Sequence, residues 1–135
     1  QAAKETGWGT SRFALEGNAL FGQWTWSGEG IKPAGADNDA THKVMKFKIL
    51  KSSVRAYQRN LNTHSSYKQF RLARAELRDN KMKLDSLILS NYLDKYAQTG
   101  DEYVKILKKI IKQNNLTELD DVKLLPSSKK LKSLI

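Results

Sequence analysis

The chain has 135 residues, of which 39% are apolar and 28% charged, so it has the size of one folded domain and enough apolar material for a core. It has no cysteine and only two histidines. This composition excludes disulfide bonds, thiolate metal sites and cysteine nucleophiles, and we expect neither a metal nor a cofactor. The net charge is +10, and most of the excess follows residue 50, a balance that favours anionic polymers as partners.

The first segment predicts two short helices. Residues 1–6 are good helix formers, and the glycine-rich segment 7–9 ends them. Thr10 or Ser11 can cap a second helix over 12–16, which the following Gly-Asn pair ends because both residues tolerate positive φ. The sequence begins at or inside the first helix, without a methionine or an export signal, so we expect upstream helices to be missing from it.

The next segment predicts one β-hairpin over about residues 21–49. Residues 21–27 are aromatic and partly alternating, which favours a strand with Trp24 and Trp26 on one face. Residues 28–40 are rich in Gly, Pro, Asn and Asp and are predicted to be a loop. Alternation returns over 41–49, so this segment is expected to pair with the first strand.

Helical periodicity dominates after residue 50. It predicts helices over 52–61, 65–78, 84–97 and 101–114. Their connectors are short, so consecutive helices are expected to be neighbours. The predicted fold is therefore α+β and mainly α-helical, with the hairpin inserted between the first helices and a C-terminal helical bundle.

Glu5 is the first candidate for chemistry. It lies at the predicted C-terminal end of a helix and close to Trp8. A carboxyl there lacks the stabilisation that a helix N-terminus gives to a negative charge, and an indole ring removes water, so both features favour the protonated form. A protonated glutamate is what a glycosidase uses to protonate a departing sugar oxygen. Spacing alone does not separate this role from an ordinary solvated glutamate at a helix end, which is the commoner case.

A series of motifs in a fixed order resembles a known family. Glu-Thr-Gly-Trp-Gly-Thr-Ser-Arg-Phe-Ala at 5–14 and Asn-Ala-Leu-Phe-Gly at 18–22 are similar to the signature of the bacterial endo-β-N-acetylglucosaminidase (mannosyl-glycoprotein endo-β-N-acetylglucosaminidase-like) domain family, and within it to the Bax-like branch. Further similar segments are 42–47, 53–57, 60–64, Tyr67, 96–97, Gly100, Tyr103 and 114–116. The resemblance covers about residues 1–116 and leaves 117–135 as a basic C-terminal tail.

The resemblance implies a lysozyme-like fold and hydrolysis of the β-1,4 bonds of peptidoglycan glycan strands, in the periplasm or cell envelope. Glu5 falls on the catalytic acid of the family. An inverting enzyme also needs a general base roughly 6.5–9.5 Å from the acid. Glu29 is our preferred second carboxylate, with Asp37 and Asp39 left open, and all three are equally compatible with solvated loop side chains.

Aromatic residues that match the family, or lie in the hairpin, are candidates for substrate contact, because flat sugar faces stack on aromatic rings. We expect such contact from Tyr96, Tyr67, Trp24 and Trp26, and expect Trp8 to shape the pocket around Glu5. Tyrosines at helical spacing are more often core residues, and one of the hairpin tryptophans can be a packing contact. Asn18 and Phe21 are expected to support the site from beneath.

Three functions compete at this point. The first is a peptidoglycan hydrolase whose basic half also holds an anionic wall polymer or a membrane surface. The second is a catalytically weak or inactive relative that binds the cell wall. The third is a nucleic-acid-binding module, favoured by the charge of residues 51–135. No zinc-finger spacing or RNA-binding aromatic motif supports the third, so nucleic acid is not an expected partner.

Overall fold

The structure is a computed structural model that describes residues 1–36 and 41–123. The described chain forms two compact units, residues 1–58 and residues 59–123, and the boundary falls inside a helix. Asp37 and Asp39 lie outside the described residues, as does the last part of the predicted basic tail.

Two short helices open the first unit, as predicted. Helix α1 spans Ala2–Thr6 and ends at Gly7, which has a φ of 54° and donates its N–H to the carbonyl of Ala3. Helix α2 spans Arg12–Gly17, and the Ser11 hydroxyl at its start accepts a hydrogen bond from the N–H of Ala14. Capping residues read from the sequence therefore define both helices.

The turn between these helices is built around Thr6, which is almost completely buried. Its hydroxyl donates to the carbonyl of Ala2 at 2.7 Å and accepts from the N–H of Gly9 at 2.8 Å. The N–H of Ser11 also donates to the Thr6 carbonyl at 2.9 Å. This residue ties the end of α1 to the start of α2.

A small antiparallel sheet replaces the predicted two-stranded hairpin. Its strands are β1 (Trp24–Thr25), β2 (Gly30–Ile31) and β3 (Lys43–Met45), with β3 in the centre. Trp24 pairs with Val44, and Gly30 pairs with Met45.

The prediction that residues 28–40 form only a loop is wrong, because β2 lies within them. Gly30 makes this strand possible, since a Cβ there would lie 2.6 Å from the Cβ of Lys43 and 2.9 Å from the carbonyl oxygen of Val44. Only a residue without a side chain fits so close to β3.

Helix α3 spans Leu50–Thr63 and contains the boundary between the units. The second unit continues with a 3₁₀ turn (Ser65–Tyr67), α4 (Lys68–Asp79), α5 (Ser86–Leu89), 3₁₀ turns at Ser90–Tyr92 and Asp94–Tyr96, α6 (Asp101–Gln113) and a 3₁₀ turn at Leu116–Leu119. Its buried apolar residues are Leu61, Tyr67, Phe70, Ala73, Leu77, Leu93, Tyr103, Val104 and Leu107.

The predicted helix over 84–97 is instead a short helix followed by two 3₁₀ turns. The Ser90 hydroxyl donates to the carbonyl of Leu87 at 2.9 Å, and the Asn91 amide donates to the carbonyl of Ile88 at 3.0 Å. These side chains take up carbonyls that a continuing helix would use, which shortens the helix.

The fold class is confirmed as mainly helical α+β, with 56% helix and 6% strand among the described residues. The lysozyme-like topology stays a prediction. Among the described helices, none is both long and apolar enough to cross a lipid bilayer.

Candidate functional site

Glu5 lies in the last turn of α1 and is half-buried. Its N–H donates to the carbonyl of Gln1 at 3.0 Å, so the residue is part of the helical hydrogen-bond ladder. The main chain of Gly22 lies against its carboxylate, because a Cβ at Gly22 would be 3.3 Å from Oε2 of Glu5. The backbone of Gly22 is in the left-handed region, with a φ of 59°.

A stacked aromatic pair lies next to this contact. The rings of Phe21 and Tyr57 have centroids 3.9 Å apart and planes 10° from parallel. The Tyr57 hydroxyl also donates a hydrogen bond to Oε1 of Gln1. Gln1, Glu5, Phe21, Gly22 and Tyr57 therefore form a closed set of contacts, which we call the acid-support cluster.

Three hydrogen bonds hold the segment that carries Phe21 and Gly22. The Asn18 amide donates to the carbonyls of Phe47 and Lys48, at 3.0 and 3.3 Å. The N–H of Leu20 donates to the hydroxyl of Ser53 at 3.0 Å, and Ser53 is completely buried. The Asn18 bonds fix the start of the segment that carries Phe21. The supporting role expected of Asn18 and Phe21 stays a prediction.

Sequence reasoning did not identify Ser53 and Tyr57 as part of this arrangement. Both lie on α3, four residues apart, so they share one face of that helix. That spacing, together with the similar segment 53–57, was the available signal. What the sequence could not give was the partner of the shared face, residues 20–21.

Trp8 lies in the turn after α1. It has a φ of 58°, unusual for a residue with a side chain, and its side chain is 64% exposed. The indole therefore faces solvent beside the end of the helix that carries Glu5. The role expected of Trp8 in shaping a pocket around Glu5 stays a prediction.

Trp24 and Trp26 present an open aromatic surface on the sheet. They are 47% and 71% exposed, whereas Thr25 between them is buried, so the two indoles lie on the same side of the chain. The Trp24 ring meets His42 edge-on, with centroids 4.6 Å apart. A solvated aromatic surface of this kind can stack on a sugar ring.

Glu29 is exposed in the bend between β1 and β2. Its main-chain carbonyl accepts a hydrogen bond from the N–H of Lys46 at 3.4 Å, which anchors the bend to the residue after β3. The two other candidate carboxylates, Asp37 and Asp39, are not among the described residues.

Three tyrosines form a row in the second unit. Ring centroids are 6.1 Å apart between Tyr67 and Tyr96 and 5.6 Å apart between Tyr96 and Tyr103. Tyr67 and Tyr103 are buried, whereas Tyr96 is half-buried and lines an open depression of about 540 Å³. Of the three rings, Tyr96 is the one best placed to touch a ligand.

The arginines of α4 are partly engaged in structural contacts. Arg71 donates to the carbonyls of Leu61 and His64 at 3.0 and 2.8 Å, so it caps the end of α3. Burial lowers the pKa of Arg74, and the positive charges of Arg78 and Arg71 lower it further. This cationic face favours an anion electrostatically, but part of its hydrogen-bonding capacity is already used.

No group of three His, Asp or Glu side chains within the described residues is arranged to hold a metal ion.

Comparison with known proteins gives one family and one relative. Residues 1–116 match the family described as mannosyl-glycoprotein endo-beta-N-acetylglucosaminidase. The chain is 34% identical over 113 residues to the protein named Protein bax of Escherichia coli (strain K12). This alignment covers 84% of the chain but only 40% of the relative, so the chain spans less than half of that protein's length. No solved structure matches the chain significantly.

Proposed function

The chain belongs to the mannosyl-glycoprotein endo-beta-N-acetylglucosaminidase family, and from that premise we propose that it hydrolyses the β-1,4 glycosidic bonds of peptidoglycan glycan strands, with Glu5 as the general acid. Family membership itself indicates a glycan hydrolase-like function and a glycan substrate. The peptidoglycan substrate, cleavage after N-acetylglucosamine and a periplasmic or cell-envelope location belong to the proposal.

The observation that carries the proposal is the placement of Glu5 within the matched region. Its carboxylate lies at the end of a capped helix, against the main chain of Gly22 and within the acid-support cluster. A glutamate that is merely solvated at a helix end would not have main chain packed against its carboxylate.

The chemistry required of Glu5 is proton donation. The protonated carboxyl donates to the oxygen of the departing sugar as the glycosidic bond breaks and positive charge develops at the anomeric carbon. The bond electrons then stay with the leaving oxygen, which departs as a neutral hydroxyl.

Water must complete the reaction at the anomeric carbon. Glu29 is our candidate for the carboxylate that assists it, because it projects from the exposed bend of the sheet. Asp37 and Asp39 remain alternatives. Trp24, Trp26, Tyr96 and Tyr67 are the proposed substrate-binding residues, with Tyr67 acting chiefly through its ring contact with Tyr96.

The test is the loss of activity in Glu5→Gln, which keeps the size of the side chain and removes the proton donor. We expect release of soluble fragments from purified peptidoglycan to fall about 10²–10⁴-fold, the usual contribution of general acid catalysis. Glu16→Gln is the matched control, because Glu16 is an exposed glutamate on α2.

Wild-type activity in Glu5→Gln would contradict the proposal. If the wild-type protein binds peptidoglycan in a pull-down but releases no fragments, the alternative of an inactive wall-binding relative replaces it. Tight binding of DNA that persists at physiological salt would favour the nucleic-acid module instead.

A further inference from the structure

We propose that Gly22 and Tyr57 are positioning residues that hold the carboxyl of Glu5 for proton donation, an inference that rests on the proposed function. Neither residue contributes an atom to the reaction. Gly22 places a bare stretch of main chain beside the carboxylate, and Tyr57 holds that stretch and the Glu5 helix at a fixed separation.

The space beside the Glu5 carboxylate is narrow at Gly22. A Cβ at position 22 would lie 3.3 Å from Oε2 of Glu5, closer than an ordinary van der Waals contact. The methyl group of an alanine would therefore push against the carboxylate oxygen. Glycine is thus favoured at position 22 for two reasons, its φ of 59° and the close approach of Glu5.

Aromatic stacking and a hydrogen bond hold Gly22 beside Glu5. Phe21, the residue before it, lies face to face with Tyr57, with ring centroids 3.9 Å apart. The hydroxyl of the same tyrosine donates to the side chain of Gln1, and the carbonyl of Gln1 accepts the N–H of Glu5. One side chain therefore contacts both the segment that carries Gly22 and the turn that carries Glu5.

Helix α3 also holds the residue before Phe21. The residue preceding Phe21 is bonded to the buried Ser53, one helical turn before Tyr57 on α3. Residues 20–21 are thus held at two successive points on a single helix face. Such a support restricts movement of the Gly22 main chain relative to the carboxyl.

The consequence for catalysis is specific. Displacement of a catalytic group by about 1 Å can cost about 10²-fold in rate. The loss depends on the leaving group, because a strongly basic oxygen needs the proton and a weakly basic one departs without it. A residue that positions the acid should therefore matter for poor leaving groups and matter little for good ones.

The experiment compares Gly22→Ala with Gly28→Ala. Both glycines have positive φ, of 59° and 94°, so both alanines carry backbone strain. Nothing lies within 4 Å of a Cβ at Gly28, whereas a Cβ at Gly22 meets Glu5. Tyr57→Phe is the second variant, since it keeps the stacked ring and removes the hydroxyl that donates to Gln1.

Each variant is assayed on two aryl glycosides of an N-acetylglucosamine oligosaccharide, one with a methylumbelliferyl and one with a dinitrophenyl leaving group. A contact of 3.3 Å requires the carboxylate to shift by only a few tenths of an ångström. For Gly22→Ala we therefore expect kcat to fall about 3–10-fold on the first substrate and less than about twofold on the second, with KM nearly unchanged on both. Tyr57→Phe should show the same selectivity with a smaller loss. Gly28→Ala should show no difference in its effect on the two substrates.

The outcomes separate this inference from the proposed function. If Glu5→Gln hydrolyses the methylumbelliferyl substrate like the wild type, the proposed function fails and the positioning roles fail with it. If Glu5→Gln is inactive there but Gly22→Ala behaves like Gly28→Ala, or loses activity equally on both substrates, only the positioning proposal is overturned. If Gly22→Ala does not fold, the leaving-group selectivity of Tyr57→Phe decides the question.

Discussion

Replacement of Ser53 by alanine tests the support beneath the proposed acid most simply. Ser53 is completely buried, and its hydroxyl is the acceptor for the N–H of Leu20 at 3.0 Å. Loss of the acceptor leaves a main-chain donor unpaired, which costs about 1–3 kcal/mol. Leu20 is only half-buried, so the lower part of this range, about 1–2 kcal/mol, applies.

The higher helix propensity of alanine offsets part of this loss in stability. Alanine is a better helix former than serine by roughly 0.5 kcal/mol, and position 53 lies inside α3. The expected net destabilisation is therefore about 0.5–1.5 kcal/mol. With a urea slope of about 2 kcal/mol per M, the unfolding midpoint should fall by about 0.3–0.8 M.

Tryptophan fluorescence is the right probe for this experiment. All three tryptophans, Trp8, Trp24 and Trp26, lie in the first unit, so the signal reports the unit that contains the Ser53–Leu20 bond. Ser52→Ala is the matched control, because it makes the same helix-propensity gain and its hydroxyl makes no hydrogen bond among the described residues. Equal midpoints for the two variants would refute the reasoning.

Two further substitutions test other parts of the account. Asn18→Ala and Asn18→Gly both lose the amide bonds to the carbonyls of Phe47 and Lys48, but only alanine is strained at a φ of 49°. We expect the alanine variant to be less stable by about 1–2 kcal/mol in urea unfolding, and equal midpoints would show that the left-handed backbone carries no strain. Trp26→Ala should weaken binding of an N-acetylglucosamine oligosaccharide by roughly 2–10-fold in calorimetry, with unchanged stability because the side chain is 71% exposed. Leu15→Ala, equally exposed at 72%, is its control, and an identical change in both variants would contradict the stacking role.

The elements that the sequence predicted well are those whose ends are set by local residues, such as helix caps. The ends of α1 and α2 follow from Gly7, Ser11 and Asn18, whose backbone preferences do not depend on distant residues. The long apolar periodicity of α4 and α6 was equally readable. Glu5 is a candidate because of the motif around it, since spacing alone does not distinguish it from a solvated side chain, and its role stays a prediction.

The elements that were missed depend on contacts distant in sequence. Strand β2 exists because Gly30 can approach β3, and nothing in the local sequence of residues 28–36 reveals that neighbour. The break after α5 depends on whether Ser90 and Asn91 bond to the preceding carbonyls or to solvent, a choice set by packing. The role of Tyr57 likewise arises only when Phe21 is brought against it.

The central claim is that Glu5 donates a proton in the cleavage of a peptidoglycan glycan bond. The most direct measurement is digestion of purified peptidoglycan by the wild type and by Glu5→Gln, followed by reduction of the fragments and identification of the new terminal sugar by mass spectrometry. The account predicts reduced N-acetylglucosamine ends with the wild type and none with the variant. Cleavage that persists in Glu5→Gln, or no new ends from the folded wild-type protein, would contradict it.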